Sequence, residues 1–372
     1  MVAGEASGDL LASLLLQGLR GRWPGLTASG IGGPRMRALG FDAWWDSDRL
    51  AVRGYVEVLR HYRGIKSIRD QLAQRLLADP PAVFVGVDAP DFNLGLETRL
   101  RAAGVRTVHF VCPSIWAWRG GRVKTLAAAC DHVLCLFPFE PELLHRHGVR
   151  ATYVGHPLAD AIPLEVPRAA ARRALGLADD DRVVAVLPGS RRSEIEAIAP
   201  VFLQAVARLH RERPALRFVL PVAPGLHGAV EAAVRRHAGS VPLQRLDGRS
   251  HEALAACDVT LIASGTATLE AALFKRPMVI GYRMNPLSWQ LMKRMAYQPW
   301  VGLPNILERE FVVPELIQQR CTPETLAAAV GAWLDDADAC ARVASRFDSL
   351  HRRLRCDTAR RATDAIAEVL RG

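Results

Sequence analysis

The chain has 372 residues, half of them hydrophobic, and a formal net charge of +10 at pH 7. This length exceeds one ordinary core and predicts two domains, while the lack of a long apolar run excludes a membrane-spanning helix. The charge indicates an anionic partner, either anionic lipid or a phosphorylated small molecule. Because the arginines are dispersed without a dense basic tract, we expect no nucleic-acid partner.

The cysteines and the N-terminus indicate the compartment. Seven cysteines are scattered along the chain and form no Cys-x-x-Cys pair. They are typical of free thiols in a reducing cytoplasm and not of a disulfide framework or a zinc site. The N-terminus also lacks the basic region of a signal peptide. We therefore expect a cytoplasmic protein.

The first turn of the chain lies between a short apolar start and an apolar helix. Residues 1–3 suit the end of a buried strand, and residues 10–19 predict a helix. Small residues in the turn between them would let a substrate approach the backbone. Ser7 and Asp9 are therefore candidate substrate-binding residues, and both equally suit a plain helix cap.

A basic, amphipathic stretch follows from residue 52 to residue 77. Between Tyr55 and Arg69 its aromatic and aliphatic side chains are mixed with arginine and lysine. That mixture suits a patch that lies on a membrane surface. It also suits an ordinary helix that packs on the core and exposes a basic face to water.

Carboxylates follow the continuous apolar run at residues 82–87. Ligands of open α/β sheets bind beyond the carboxyl ends of the strands, so Asp88 is well placed to abstract a proton. Asp91 and Asn93, in the same loop, are candidate substrate contacts. Asp91 lies closer to the next helix and also suits a cap. Of the two carboxylates we favour Asp88 for chemistry.

Two tryptophans lie in an irregular segment after the next strand, which is predicted over residues 107–111. Trp116 and Arg119 are candidate binding-site residues, although tryptophans in loops commonly just cover a core. The regular alternation of strand, turn and helix in this half predicts a parallel sheet flanked by helices.

The second half repeats this plan. A strand over residues 183–187 ends in a Gly-Ser-Arg turn, whose amides and guanidinium groups suit a diphosphate. Ser190 and Arg191 are the candidates. The turn is not a Walker loop, because no Gly-Lys-Ser/Thr follows. Ser193 and Glu196 have the spacing of a capping box for the next helix.

A second phosphate-binding turn follows the strand at residues 259–262. Ser264, Gly265 and Thr266 lead into a helix, whose first N–H groups suit a phosphate or diphosphate. Glu270 lies one turn further along the same helix face and suits ribose hydroxyls. The alternative is a capped core helix with a solvated Glu270.

We expect no metal and no cofactor. Asp-x-Asp spacings occur three times, none of them next to the phosphate-binding turns, and each is typical of solvated surface. They are Asp46 with Asp48, Asp179 with Asp181, and Asp336 with Asp338.

Several longer sequence motifs resemble those of a known family. They are GEASGD (4–9), GVDAPDFN (86–93), SIWAWR (114–119), FPFE (137–140), VGHPL (154–158), LPGSR (187–191), ASGTATLE (263–270) and LPNIL (303–307). In this order they resemble the lipid-A-disaccharide synthases, glycosyltransferase family 19. Members usually carry several more residues ahead of the first word. The family implies a GT-B type α/β fold, with two Rossmann-like, doubly wound parallel-sheet domains facing across a cleft.

The resemblance also implies an activity. It is the inverting, metal-independent transfer of 2,3-diacylglucosamine from UDP-2,3-diacylglucosamine to 2,3-diacylglucosamine 1-phosphate, in lipid A biosynthesis. Asp88 would then be the base and Arg191 the diphosphate clamp, helped by Ser190 and the turn at residues 264–266. Glu270 would bind the ribose and Asn305 would make a polar contact to the donor.

The same resemblance sets the expected organisation. We expect an acceptor and membrane-facing domain at residues 1–165, a UDP-sugar domain at 166–340 and a helical tail at 341–372 that packs back on the first domain. Anionic lipid on the inner face of the cytoplasmic membrane would be a partner, and a homodimer is compatible with the sequence. The alternatives are an isomerase like UDP-N-acetylglucosamine 2-epimerase, or a non-catalytic protein that binds nucleotide sugar or lipid.

Overall fold

The computed structural model describes residues 1–50, 55–117, 120–285, 289–290 and 297–371, without the side chains of residues 6 and 55–62. The strands are β1 (Val2–Ala3), β2 (Ser29–Gly32), β3 (Asp42–Asp46), β4 (Phe84–Val87), β5 (Thr107–Phe110), β6 (His132–Cys135), β7 (Ala151–Tyr153), β8 (Val183–Leu187), β9 (Arg217–Val222), β10 (Leu243–Asp247), β11 (Val259–Ile262), β12 (Met278–Tyr282) and β13 (Glu315–Ile317).

The helices alternate with these strands along the chain. They are α1 (Glu5–Arg22), α2 (Pro34–Ala38), α3 (Tyr55–Ala78), α4 (Pro90–Ala102), α5 (Arg122–Ala129), α6 (Glu140–His145), α7 (Pro157–Ala161), α8 (Arg168–Leu175), α9 (Arg192–Glu212), α10 (His227–His237), α11 (Ser250–Ala256), α12 (Thr266–Leu273), α13 (Leu303–Glu308), α14 (Pro323–Asp335), α15 (Ala337–Leu354) and α16 (Thr358–Arg371).

The chain forms two compact units, each built on its own parallel sheet. One comprises Met1–Asp160 with the chain from Leu354 onward, and the other comprises Ala161–Arg353. All residues of β4, FVGV, and of β8, VVAVL, are buried. Such continuous apolar strands are typical of parallel sheets covered by helices on both faces. The prediction of two doubly wound parallel-sheet α/β domains is confirmed.

The strand orders place a switch point in each sheet. The first sheet has the order β3-β2-β1-β4-β5-β6-β7, and the second has the order β10-β9-β8-β11-β12-β13. In the first sheet the chain builds outward from β1 on one side and then from β4 on the other. In the second sheet the chain builds outward from β8 on one side and then from β11 on the other. The crevice beyond the carboxyl ends of such neighbouring strands is where open α/β sheets bind ligands.

The C-terminal helix α16 belongs to the first unit. It packs against α1, where Gly18 allows a close approach: a Cβ on Gly18 would lie 2.7 Å from the carbonyl oxygen of Ala359. The start of α16 is capped by Asp160, whose carboxylate accepts hydrogen bonds from the backbone N–H groups of Cys356, Asp357 and Thr358 at 2.7–3.1 Å.

The boundaries between the units differ from those expected at 165/166 and 340/341. The first lies after Asp160 and the second before Leu354. Almost all of α15 therefore belongs to the second unit, where it has polar partners: His351 contacts Lys275 and Arg346 pairs with Glu310. The sequence reads as continuously helical across this point, so its pattern does not reveal where the chain leaves the second unit.

Candidate active site at the two switch points

The turns after β1 and β4 meet at the switch point of the first sheet. A Cβ added to Gly4 would lie 3.3 Å from the Cβ of Ala89, so the GEASGD and GVDAPDFN motifs are in direct contact. Ala3 pairs with Val87 in the adjacent strands, which sets this register. The sequence predicted both turns separately, and the sheet topology brings them together.

Asp88 occupies a strained backbone position at this switch point. Its φ is 51°, and that of the following Ala89 is 44°, so two successive non-glycine residues are left-handed. Each such residue costs roughly 1–3 kcal/mol, and this strain is typical of functional sites. The Asp88 side chain is half-buried, and its carboxylate has no hydrogen-bond or ion-pair partner among the described residues. It is therefore available for chemistry.

The two other polar candidates of this loop have structural partners. Asn93 is fully buried, and its Nδ2 donates to the carbonyl oxygen of Asp88 at 2.8 Å. Asn93 therefore contacts the loop backbone, a structural role that differs from the expected substrate contact. Asp91 lies in the first turn of α4, is 83% exposed and pairs with Arg122. Of the two carboxylates, only Asp91 has a partner among the described residues.

Asp9 has a structural role that differs from both expectations. It is 2% exposed and lies inside α1, so it does not cap its own helix. Its carboxylate accepts hydrogen bonds from the backbone N–H groups of Gly33, Arg35 and Met36 at 2.9–3.2 Å. Asp9 thus caps α2, across 24 or more residues of sequence. Ser7 is exposed on the first turn of α1 and remains a candidate.

Trp116 is anchored by a residue that sequence analysis did not identify. Its Nε1 donates to the Glu140 carboxylate at 3.0 Å, and its ring meets those of Phe137 and Phe139 edge-on. Burial raises the pKa of Glu140 to about 8. Side chains of the FPFE motif therefore hold the tryptophan of the SIWAWR motif in place. Arg119, another candidate, lies outside the described residues.

The Gly-Ser-Arg turn lies at the switch point of the second sheet, after β8. Arg191 is the N-cap residue of α9, and its side chain is 55% exposed. Glu194 accepts a hydrogen bond from the Ser190 N–H at 3.0 Å and also contacts Arg191 at 3.2 Å. The predicted capping box of Ser193 and Glu196 is wrong, because the helix begins at Arg192 and Glu194 reaches back to the turn.

The second phosphate-binding turn follows β11, the strand next to β8. Gly265 has a φ of 128°, which favours glycine, and Gly265 and Thr266 are exposed at the start of α12. The Ser264 hydroxyl donates to the carbonyl oxygen of Val301 at 3.3 Å. The helix N-terminus therefore presents its backbone N–H groups beside the Gly-Ser-Arg turn, as an anion site requires.

Glu270 has a partner that the sequence did not indicate. His251, at the start of α11, lies 3.5 Å from the Glu270 carboxylate through its Nε2, and this contact raises the pKa of His251. Glu270 is 20% exposed, so it is neither the fully solvated residue of the alternative nor an unpaired acceptor. His251 holds the carboxylate one turn above the phosphate-binding turn.

Asn305 is part of the fold. It is fully buried, its Nδ2 donates to the Val313 carbonyl and to Glu315, each at 2.9 Å, and its Oδ1 accepts from the Val313 N–H at 3.0 Å. Glu315 also accepts from the N–H groups of Val301 and Gly302. Both Nδ2 hydrogens are thus used within the fold, and the expected contact of Asn305 to the donor stays a prediction. The pair orders the loop that packs on Ser264.

Two groups of buried side chains in the first unit bring metal-binding atom types within 4.8 Å of one another. They are Glu97, His109 and Cys130, and Cys112, Cys135 and Glu140. Burial raises the pKa of the Cys130 and Cys135 thiols well above their usual range.

The three Asp-x-Asp pairs have local structural partners. In each pair one carboxylate accepts a backbone N–H within its own turn: Asp46 from Asp48, Asp181 from Ala178, and Asp336 from Ala339.

Comparison with known proteins identifies the family. The family model described as lipid-A-disaccharide synthetase matches residues 1–367. The chain belongs to the lipid-A-disaccharide synthase family. It is 59% identical to the lipid-A-disaccharide synthase of Albidiferax ferrireducens, covering 100% of this chain and 97% of that protein. It is 58% identical to that of Verminephrobacter eiseniae, covering 100% and 96%. These relatives make the chain a glycosyltransferase of lipid A biosynthesis.

Solved structures agree on the fold. A UDP-N-acetylglucosamine 2-epimerase from Neisseria meningitidis, bound to UDP-GlcNAc, has a TM-score of 0.68 at 11% identity, covering 99% of this chain and 98% of that one. A glycosyltransferase from Rickettsia africae has a TM-score of 0.60 at 10% identity, covering 99% and 97%. At such identities the likeness shows the GT-B fold alone, so the epimerase alternative is not favoured over the lipid-A-disaccharide synthase family.

None of the described helices is both long enough and apolar enough to cross a bilayer.

Proposed function

We propose that the chain joins UDP-2,3-diacylglucosamine to 2,3-diacylglucosamine 1-phosphate. The acceptor 6-hydroxyl oxygen attacks the anomeric carbon of the donor, the bond from that carbon to the diphosphate breaks, and UDP leaves with the electron pair. The hydroxyl proton passes to a base. The products are the β-1,6-linked tetraacyl disaccharide 1-phosphate and UDP. A single displacement inverts the anomeric centre.

The observation that carries this proposal is the unpaired Asp88 carboxylate at the first switch point. It follows β4 directly, and it has no partner among the described residues, whereas the neighbouring Asp91 pairs with Arg122. A carboxylate that takes the proton must have a free lone pair directed at the hydroxyl. Asp88 therefore serves as the base. Ser7 and Trp116 lie in neighbouring turns of the same unit and contribute to the acceptor side.

The groups for the departing diphosphate lie at the second switch point. Arg191 supplies an exposed guanidinium, and the start of α12 supplies the N–H groups of residues 265 and 266. These donors stabilise the charge that develops on the leaving oxygen, as oxyanion-type donors do. Glu270 accepts hydrogen bonds from the ribose hydroxyls. The cationic side chain and the helix N-terminus take the place of a metal ion, so no metal or cofactor is required.

The proposed substrates are lipids, which favours a site of action at a membrane. Both carry acyl chains and anionic head groups, so we propose that it works on the inner face of the cytoplasmic membrane. Arg63 and Lys66 of α3 are exposed, while Ile65 and Ile68 pack on the core. This basic face, together with the Trp116 region, is the proposed contact with anionic lipid. A homodimer is compatible with the proposal and not required by it.

The test is incubation of the purified protein with both substrates, followed by mass spectrometry of the lipid products and of the nucleotide. We expect the disaccharide 1-phosphate and UDP in equal amounts, without added divalent metal and in the presence of EDTA. A change in the sugar stereochemistry of the donor with no disaccharide would support an isomerase. Binding of both lipids with no product would support a binding protein.

A further inference from the structure

We infer that Asn93 is a positioning residue that holds Asp88 in its reactive backbone conformation, and that Glu97 and His109 fix the position of Asn93. The inference rests on the proposed role of Asp88 as the base. It concerns residues that touch no substrate, because Asn93, Glu97 and His109 are all fully buried.

The conformation of Asp88 needs external restraint. Asp88 and Ala89 are both left-handed, and such residues persist only where the surroundings fix them. On one side the Asp88 N–H donates to the Phe110 carbonyl at 2.8 Å. On the other, the Asp88 carbonyl accepts from Asn93 Nδ2 at 2.8 Å. The peptide units on both sides of the Asp88 Cα are therefore fixed, and the direction of its side chain with them.

Asn93 is itself fixed by the close approach of α4 to β4. Gly86 lies two residues before Asp88, and a Cβ there would fall 3.0 Å from the Cβ and Cγ atoms of Asn93 and 2.2 Å from Glu97 Oε1. Asn93 and Glu97 are one helical turn apart, so both side chains lie on the face of α4 that covers this glycine.

The Glu97 carboxylate ties α4 to the neighbouring strand. It lies 2.9 and 3.2 Å from His109 Nδ1 through its two oxygens, and it accepts from the Cys130 thiol at 3.3 Å. His109 is the residue of β5 that pairs with Gly86 of β4. The network thus fixes the helix that carries Asn93 against the strand that ends just before Asp88.

Stability alone does not account for an amide at position 93. Asn93 Oδ1 is buried and has no hydrogen-bond partner in the described part of the chain. An unsatisfied buried oxygen is unfavourable, and an apolar side chain of the same size would avoid it. What the amide adds is the Nδ2 donor to the Asp88 carbonyl, so the amide serves the geometry of the loop.

The test is a double-mutant cycle between Asn93→Leu and Asp88→Asn, which leaves the Asp88 backbone carbonyl in place. The leucine side chain is similar in shape to that of asparagine but lacks the Nδ2 donor. We expect kcat to fall about 10- to 100-fold in the parent background, the usual cost of a small misplacement of a reacting group. KM for both lipids and the affinity for UDP should change less than threefold. In the Asp88→Asn background the same substitution should change kcat less than twofold.

Thr107→Val is the matched control, because it removes another buried side-chain hydrogen bond in the same unit, to the Ala129 carbonyl at 2.8 Å. It should leave kcat unchanged. If Asn93→Leu does not fold, Asn93→Ala replaces it, since alanine also lacks the donor; the same cycle is expected.

Three results would separate the possibilities. An equal loss for Asn93→Leu in both backgrounds would overturn the inference, because Asn93 would then act independently of Asp88. A parent-background loss of less than threefold would overturn it as well. If Asp88→Asn itself kept nearly full turnover, the proposed base would be wrong, and the inference would fail with it at a distinguishable step.

Discussion

The Glu194 carboxylate accepts a hydrogen bond of 3.0 Å from the backbone N–H of Ser190. It also lies 3.2 Å from Arg191 Nη1. The carboxylate therefore occupies two of the donors that the proposed diphosphate site would use. Glu194 orders the turn in this structure, and the diphosphate of the proposed donor would compete with it for the same groups.

This relationship predicts that Glu194→Gln strengthens UDP binding. The amide keeps an acceptor for the Ser190 N–H but removes the negative charge beside the diphosphate. Because exposed charge pairs contribute up to about 1 kcal/mol, we expect a gain of about two- to fivefold in affinity. Arg191→Ala should have the opposite effect and weaken both UDP binding and turnover. Isothermal titration calorimetry with UDP measures both variants.

The matched control is Glu196→Gln, since Glu196 pairs with the exposed Arg192 and does not contact the turn. It should leave the UDP affinity unchanged. Weaker binding by Glu194→Gln would mean that the carboxylate orders the turn more than it competes with the ligand.

A second prediction separates the two carboxylates of the first switch point. Asp88→Asn keeps the size of the side chain but cannot take a proton, so turnover should fall roughly 10²–10⁴-fold. Asp91→Asn should retain turnover within a few-fold, because Asp91 is exposed and paired with Arg122. UDP affinity should not change in either variant. Steady-state turnover with both lipid substrates checks this, and an active Asp88→Asn enzyme would remove Asp88 from the mechanism.

The sequence predicted strand positions well, because a buried parallel strand is a continuous apolar run. The predicted strands 183–187 and 259–262 match β8 and β11 residue for residue. It did not predict β13 (Glu315–Ile317), which has only three residues and contains a charge. Asp88 could be singled out because it follows a strand directly, where side chains reach a ligand.

The roles of the polar residues in the sequence motifs were harder to predict. Asn93 and Asn305 look like ligand contacts in sequence, yet both are fully buried and bind backbone groups. Asp9 caps a helix through donors 24 to 27 residues further along the chain, a contact that no local pattern encodes. The supporting carboxylates Glu140 and Glu315 were missed for the same reason, since their partners depend on the tertiary packing.

A third prediction concerns the attachment of the C-terminal helix. Asp160 caps α16 with three backbone hydrogen bonds, so Asp160→Ala should lower the free energy of unfolding by about 1–2 kcal/mol, as the loss of a helix cap does. Hydrogen exchange should accelerate in α16. Asp357→Asn is the control, because its carboxylate pairs with Arg360 at the surface. Equal stability of the two variants, measured by urea denaturation, would contradict the cap.

A fourth prediction tests the proposed lipid contact. Binding to anionic vesicles should weaken as salt rises, because exposed charges are screened within about 10 Å at 0.1 M salt. The double variant Arg63→Gln with Lys66→Gln should lose about fivefold in affinity per charge. The control is Arg235→Gln with Arg236→Gln, which removes two exposed charges from α10 of the second unit. Equal losses in a vesicle sedimentation assay would place the contact elsewhere.

The last prediction concerns the pH dependence that Glu140 gives to stability. Burial raises its pKa in the folded protein to about 8, from an ordinary value of 4.5. The folded state therefore binds the proton more tightly than the unfolded state. The stability that protonation contributes is present below about pH 4.5 and is lost as the pH rises towards 8.

Relative to Glu140→Gln, whose amide does not titrate, the parent should thus become less stable between pH 5.5 and pH 7.5, with an upper limit of about 1.4 kcal/mol per pH unit. Urea denaturation of both proteins at the two pH values measures the difference in their free energies of unfolding. The contributions of the other titrating groups are the same in both proteins and cancel in this difference. Glu142→Gln is the control, because its carboxylate is 70% exposed and its difference from the parent should not change with pH. A constant difference for Glu140→Gln would mean that the N–H donors of Phe137 and Trp116 keep the buried carboxylate ionised throughout this range.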